Sequence, residues 1–303
     1  MAKYAYVVAA NEKYLVPLNI FLNSLEKVGN RRTVHLISWA LPKDYLAKLT
    51  ELGYEVIVHE VSQNPKMQEL GEGECLMRYR YKLASELDCD AVCVFDADSL
   101  VVRNLGIWFE IAAKSDVIIG VALEQKRWYG EGAEEHHRVN GKHLIPKTWN
   151  DKDIACSPIF FNPGTFGHVF RFTWSIIADY DFDHRFKAPD MDAINLAILY
   201  QGVRDRVIDL AEATWSGLHE TLLKPLSHVC EIHDQLFTIN GEPIWVIHGQ
   251  YLNPIWQGWQ IDGQMGMIDR ELDGSARCKQ IAGQCMDFLI RYFRKMNEYK
   301  IKL

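Results

Sequence analysis

No stretch of this 303-residue chain approaches the about 20 consecutive apolar residues that cross a bilayer. The longest apolar run near the start, Tyr4 to Ala10, has only the length of a strand and lacks the layout of an export signal. The chain therefore reads as cytoplasmic and without a transmembrane segment. Paired cysteines are missing too. The seven cysteines fall at 75, 89, 93, 156, 230, 278 and 285, an odd number with neither zinc-site spacing nor the density of a secreted disulfide scaffold. They read as reduced, mostly buried thiols. Basic charge is not in excess: 40 acidic residues against 33 basic give −7. As a whole such a chain is repelled by phosphate backbones and anionic membranes, so nucleic acid is not a favoured partner, although a local basic patch could still bind one. Repeats and low-complexity tracts are absent. With 48% hydrophobic and 24% charged residues, the composition excludes disorder and collagen and provides for a large core.

What is present is alternation. Apolar residues 4–10, a helical pattern over 14–28, a strand at 33–39, a helix at 43–52, a strand at 54–60, a helix at 76–87 and a strand at 91–95 read as βαβ units. Pro42 suits a helix start, and Gly29 and Gly53 suit helix ends. The fold class that follows is α/β, with a mixed, mainly parallel sheet flanked by helices. Residues 125–153 break the rhythm with glycines, histidines, cations and aromatics, among them Lys126, Arg127, Trp128, Tyr129, His136, His137 and Trp149. A long surface excursion of this kind is usually functional or mobile, and its cations and aromatics suit a glycan, a lipid headgroup or an exposed base. Beyond it the pattern predicts a strand at 154–161, helices at 166–179 and 190–200, and strands near 203–209 and 243–248. A final amphipathic stripe over 278–299 predicts a helix that docks on the body, pairs two copies of the chain or touches a membrane surface. The division expected is one catalytic domain over 1–260 and a helical extension over 261–303.

The chemistry concentrates at strand ends. Ala91-Val-Cys-Val-Phe-Asp96-Ala97-Asp98 is an apolar strand that stops at two carboxylates one residue apart. Ligand sites in open α/β sheets lie beyond the carboxyl ends of strands, and alternating carboxylates can share one hard cation, Mn²⁺ or Mg²⁺. Asp is also common in an ordinary solvated strand-end turn, so this motif alone carries limited weight. Val7-Val-Ala9-Ala10-Asn11-Glu-Lys-Tyr14 ends the first strand with small residues, an amide and an aromatic ring able to stack on a base. Ile244-Trp-Val-Ile-His248 ends another strand in a lone imidazole, a ligand type that suits Mn²⁺. Arg78, Arg80 and Lys82 supply cations ahead of the two-carboxylate strand, fit for a diphosphate or for a solvated helix face.

Taken together these motifs resemble the GT-A fold glycosyltransferases, closest in pattern to glycosyltransferase family 8, with a Rossmann-like nucleotide-binding half. The resemblance implies a UDP-sugar donor, a divalent ion and transfer, with retention, to a glycan, lipid-linked or other hydroxyl acceptor. It assigns Ala9, Asn11, Tyr14, Arg80, Asp96 and Ala97 to the nucleotide sugar, and Asp96, Asp98 and His248 to the metal. Phe161-Asn162-Pro-Gly164 matches a segment that contacts sugar or acceptor, and Asp190-Met191-Asp192-Ala-Ile-Asn195 matches an acidic segment near the reacting carbon. Asn162, Asp190 and Asp192 are thus the catalytic candidates.

Two departures stand out. Met191 replaces the family's Gln, and His248-Gly-Gln-Tyr-Leu-Asn253-Pro254-Ile-Trp256 lacks the Lys that contacts the diphosphate. They leave room for a non-catalytic nucleotide-sugar-binding protein. Glycosylation of a modified DNA base by the same fold is another alternative, since the excursion's aromatics and cations also suit an extruded base. A phosphatase using Asp96 as nucleophile would need the motif near the chain start and a later Lys. A sugar nucleotidyltransferase would need a glycine-rich basic loop after the first strand, where this chain has Ala9-Ala10-Asn11-Glu12.

Overall fold

The computed structural model describes residues 2–123, 153–179 and 189–210, and the short segments 138–139, 142–143, 214–216, 230–233, 236–239, 242–243, 245–248, 295–296 and 298–300. The first half runs β1 (Tyr4–Asn11), α1 (Leu15–Lys27), β2 (Thr33–Trp39), α2 (Lys43–Glu51), β3 (Val56–Glu60), α3 (Pro65–Leu70), α4 (Glu72–Glu86), β4 (Ala91–Asp96), β5 (Ser99–Val101), α5 (Gly106–Lys114) and β6 (Ile118–Leu123). It continues through β7 (Arg138–Val139), β8 (Lys142–His143), β9 (Asp153–Phe161), α6 (Pro163–Asp179), α7 (Pro189–Tyr200), β10 (Val207–Asp209), β11 (Thr214–Ser216), β12 (Cys230–His233), β13 (Leu236–Ile239), β14 (Glu242–Pro243) and β15 (Val246–His248).

A seven-stranded sheet has the order β10-β6-β9-β4-β1-β2-β3. All neighbours pair in parallel except at β9, which is antiparallel to both β4 and β6. The expected mixed, mainly parallel sheet is therefore present. Strand alternation sorts the core onto two faces. Tyr6, Val8 and Ala10 of β1 pack with α1, α2 and α5, whereas Val7 packs with α3, α4, α6 and α7. Tyr6, Phe21, Phe95, Phe109 and Phe160 meet ring to ring in the first layer.

Helix ends explain several boundaries. Asn64 caps α3 by accepting from Lys66 N–H at 3.0 Å, with Pro65 at the first helical position, a short helix that sequence periodicity does not reveal. Gly71 ends it at φ +83°, and α4 starts at once, four residues ahead of the expected 76. The expected strand 203–209 is divided: Arg204–Arg206 forms a single 3₁₀ turn and only Val207–Asp209 pairs. Likewise the expected 243–248 divides into β14 and β15. Helices α4 and α6 cross closely at Gly167, where a Cβ would lie 2.8 Å from the Ser85 carbonyl oxygen. Gly167→Ala is expected to lower stability by about 1–3 kcal/mol, checked by urea unfolding, because backbone on the facing helix must shift.

The end of the chain docks on α1. Met296 is fully buried, and its carbonyl accepts from Asn23 Nδ2 at 2.6 Å, while Asn23 Oδ1 accepts from the Tyr54 hydroxyl at 2.6 Å. Lys300 pairs with Glu26 at 3.2 Å and lies over the Tyr54 ring. Of the three destinations expected for the terminal stripe, these residues take the first; most of 278–299 lies outside the described residues. Among the described residues no helix is long and apolar enough to cross a membrane. Cys75, Cys89, Cys93 and Cys156 are free thiols, as expected.

On the β3 side, His35 and His59 stack and share a 3.0 Å contact between Nδ1 and Nε2. Burial first, then the facing His59, holds the His35 imidazole down at about 4, and burial also lowers His59. Both are neutral in the folded state at pH 7, whereas the unfolded chain takes up protons near pH 6.5. Their contribution is complete above about pH 6.5 and is lost as pH falls toward 4. The wild type is therefore expected to lose more stability between pH 7 and 5 than a His35→Phe variant, with the difference read from urea midpoints at each pH.

Candidate active site

The strand order β3-β2-β1-β4 reverses direction of travel at β1, which opens a crevice at the carboxyl ends of β1 and β4. Register sets Ala9 beside Asp96 across that crevice. Asn11, nearly buried, caps the 3₁₀ turn Glu12–Tyr14 by accepting from Tyr14 N–H at 3.2 Å. With its oxygen so engaged, the amide nitrogen donates to Glu72 Oε1 at 2.8 Å. Tyr14, at the end of that turn, is half-buried. Its phenol pKa is raised by burial and next by the charge of Asp98, with Arg80 opposing, so Tyr14 is a neutral hydroxyl among charges.

Arg80 organises the carboxylates. It lies on α4 with its side chain almost fully buried, and its Nη1 pairs with Asp96 Oδ1 while Nη2 reaches Asp190 Oδ2 at 3.1 Å. One guanidinium thus joins the last residue of β4 to the first turn of α7. Burial works against its charge, and neighbouring Tyr81, Cys156 and Asp190 more than restore it, so the pKa sits above the ordinary arginine value. Asp96 is held from β9 as well: its N–H donates to Ser157 Oγ at 2.8 Å, and Cys156 Sγ lies 3.9 Å from Oδ2. Burial pushes the Cys156 thiol up to about 12, so it faces Asp96 as an uncharged weak donor. Of the two arginines considered, Arg80 is the one that touches Asp96. Arg78 is buried nearby. Lys82 pairs with Glu86 on its own helix at 3.2 Å, a solvated helix face.

Asp98 is 3% exposed and precedes β5, which pairs antiparallel with β15. That register sets His248 directly opposite Ser99, one residue from Asp98. Two motifs far apart in sequence thereby share one end of the small β11-β15-β5 sheet. Among the described residues no group of three or more His, Cys, Asp or Glu is close enough to hold a metal, and only the backbone of His248 is among them. The donor chemistry nevertheless fits: two carboxylates, Asp96 and Asp98, and the imidazole of His248, whose backbone pairs with Ser99, are residue types that suit Mn²⁺ or Mg²⁺.

Asn162 and Asn195 explain themselves locally. Asn162 Oδ1 accepts from Gly164 N–H at 2.8 Å and Thr165 N–H at 3.4 Å, capping α6 ahead of Pro163. Gly164 is small because a Cβ there would come within 3.1 Å of that oxygen. Asn195 accepts from Ile154 N–H and donates to the Ile154 and Met191 carbonyls, each at 2.9 Å, which pins α7 to β9 and fixes where Asp190 lies. Met191 is buried. Asp192 lies two residues after Asp190 on α7, and its side chain is outside the described residues. Trp245 packs edge-on against Trp108 at 5.6 Å, which makes it a packing residue; Trp256, Trp259 and the side chains of 125–152 lie outside the described residues. Sequence reading missed Glu72, Cys156 and Ser157. Cys156 and Ser157 lie in the middle of β9, and nothing local signals them or Glu72.

The fold is that of solved glycosyltransferases. The galactosyltransferase LgtC, determined in complex with donor and acceptor sugar analogues, superposes with a TM-score of 0.57 at 13% identity over 91% of this chain and 99% of its own. An active-site glutamine-to-glutamate mutant of LgtC matches equally, at 14% identity. The glycosyltransferase GlyE of Streptococcus pneumoniae gives 0.53 at 11% identity over 89% of this chain and 63% of its own. The bifunctional glycosyltransferase WbbM gives 0.56 at 13% identity over 92% of this chain and 51% of its own. No protein-family model matches the sequence, and no curated protein matches it. The chain thus has the GT-A type of α/β fold and resembles family 8 enzymes in architecture.

Proposed function

We propose that this chain is a glycosyltransferase that moves a hexose from a UDP-sugar to a hydroxyl on a glycan, lipid-linked or other acceptor, with retention of configuration and with Mn²⁺ or Mg²⁺. The reading is carried by one observation: Arg80 draws Asp96 and Asp190, from separate motifs, to the crevice where an open α/β sheet binds its ligand. The likeness in fold to LgtC, GlyE and WbbM supports it.

In this reading Asn11 and Tyr14 hold the nucleoside, and the small Ala9 and Ala97 let the donor approach backbone. Asp96, Asp98 and His248 would hold the divalent ion, which when bound supplies a Lewis acid to the departing diphosphate. Arg80 fixes the carboxylate of Asp96 and adds positive charge behind it. Asp190 and Asp192 on α7 steady sugar hydroxyls and the oxocarbenium-like anomeric carbon. The buried Met191 offers no polar group to that carbon, so the flanking acids carry this part alone.

The test is UDP release from a panel of UDP-sugars, with and without Mn²⁺, in the wild type, Asp98→Ala and His248→Ala. Mn²⁺-dependent turnover of one sugar, lost in both variants, is expected. Metal-dependent UDP binding with no turnover of any sugar would turn the assignment to a binding protein.

A further inference from the structure

Glu72 lies on the helix that carries Arg80 but belongs to none of the sequence motifs. It begins α4 immediately after Gly71, and its carboxylate accepts from Asn11 Nδ2 at 2.8 Å. The orientation of that amide is not free. Because Asn11 Oδ1 caps Tyr14 N–H at 3.2 Å, the NH₂ end must face Glu72, and the two side chains form a fixed pair. Asn11 itself is only 8% exposed, and the Tyr14 ring closes the same turn. A carboxylate has about four lone-pair sites, and Asn11 uses one. What the pair offers a flat heterocycle beside Tyr14 is an anionic acceptor next to an amide N–H donor.

We propose that Glu72 selects the nucleobase by the protonation of its ring nitrogen, an inference that rests on the nucleotide-sugar reading above. Uracil and guanine carry an N–H next to a carbonyl on their pairing edge. The N–H donates to the Glu72 carboxylate, and the carbonyl accepts from the second Asn11 amide hydrogen. Cytosine and adenine carry a lone pair at the corresponding nitrogen, which the carboxylate repels, so the hydrogen bond is replaced by a repulsive contact. Sites built on such a hydrogen bond discriminate strongly against a base that lacks it. The shared chemistry is a lactam N–H; pyrimidine and purine sources of it are separated by the test.

The experiment is calorimetric titration of the full chain, in Mn²⁺, with UDP, GDP, CDP and ADP, for the wild type and Glu72→Gln. Gln keeps the bond to Asn11 and can both donate and accept, so it serves either kind of ring nitrogen. The wild type is expected to bind UDP or GDP about 10–100-fold more tightly than CDP and ADP. Glu72→Gln is expected to bring the preferred and rejected bases to within about threefold. The ratio within one variant does not depend on how much of it is folded, so a poorly folded sample still reports. Equal binding of all four by the wild type, or a Glu72→Gln variant that weakens all four while keeping the ratio, overturns the role of Glu72 and leaves the donor reading standing. Failure of every nucleoside diphosphate to bind overturns both.

Discussion

Arg80→Met is expected to cost about 3–5 kcal/mol of folding stability, because it removes the one cation shared by two carboxylates and keeps most of the side-chain volume. Asp190 is 7% exposed at its side chain and Asp96 21%, so neither can recover its hydration without local rearrangement. Urea unfolding of the wild type and the variant at pH 7 reads the cost. The double variant Arg80→Met/Asp190→Asn should recover much of the loss, since a neutralised site is better tolerated than half of an ion pair. A single-variant cost under about 1 kcal/mol would mean that the pairing is a surface-like contact of little weight.

Asp98→Asn is expected to lower turnover about 10²–10³-fold or more at unchanged shape. The substitution removes the charge of a residue that is 3% exposed and one position from the β5–β15 pairing. Mn²⁺ affinity, measured by calorimetry without any sugar donor, should fall at least about tenfold in parallel. His248→Asn should weaken the ion by a similar amount, while a double variant should lose little more than either alone, as expected for ligands that act as a unit. Unchanged metal affinity in both would detach these residues from the ion.

Much of this architecture is readable along the chain. β1, β2 and β4 appear in the sequence almost to the residue because each is a short apolar run punctuated by turn residues, and Gly29, Pro42 and Gly53 mark the helices between them. The carboxylates at 96 and 98 are legible because charged residues that end an apolar strand are conspicuous, whereas Asp190 is singled out only by the family resemblance. What stays hidden depends on contacts across the fold. The bond from Glu72 to Asn11 spans elements that meet only once α4 has packed on the sheet, and the grip of Ser157 on Asp96 requires β9 to run antiparallel beside β4. Asn162 shows the converse. Its Asn-Pro-Gly run matches a sugar- or acceptor-contacting segment in the family resemblance, and the structure uses its oxygen as a cap.

The reversed direction of β9 has a bearing on how such a chain can change over generations. β6 runs with β4 and ends at Leu123, β9 runs against them and starts at Asp153, and those two residues are register partners. Both anchor points therefore lie at the same rim of the sheet as Asp96. The interval between them thus leaves and rejoins the sheet at that one rim, and the ladder can keep its pairing whatever is inserted, deleted or rewritten there. On the function proposed above, acceptor range could then diverge by editing a single interval of the gene, with the donor half of the chemistry inherited intact.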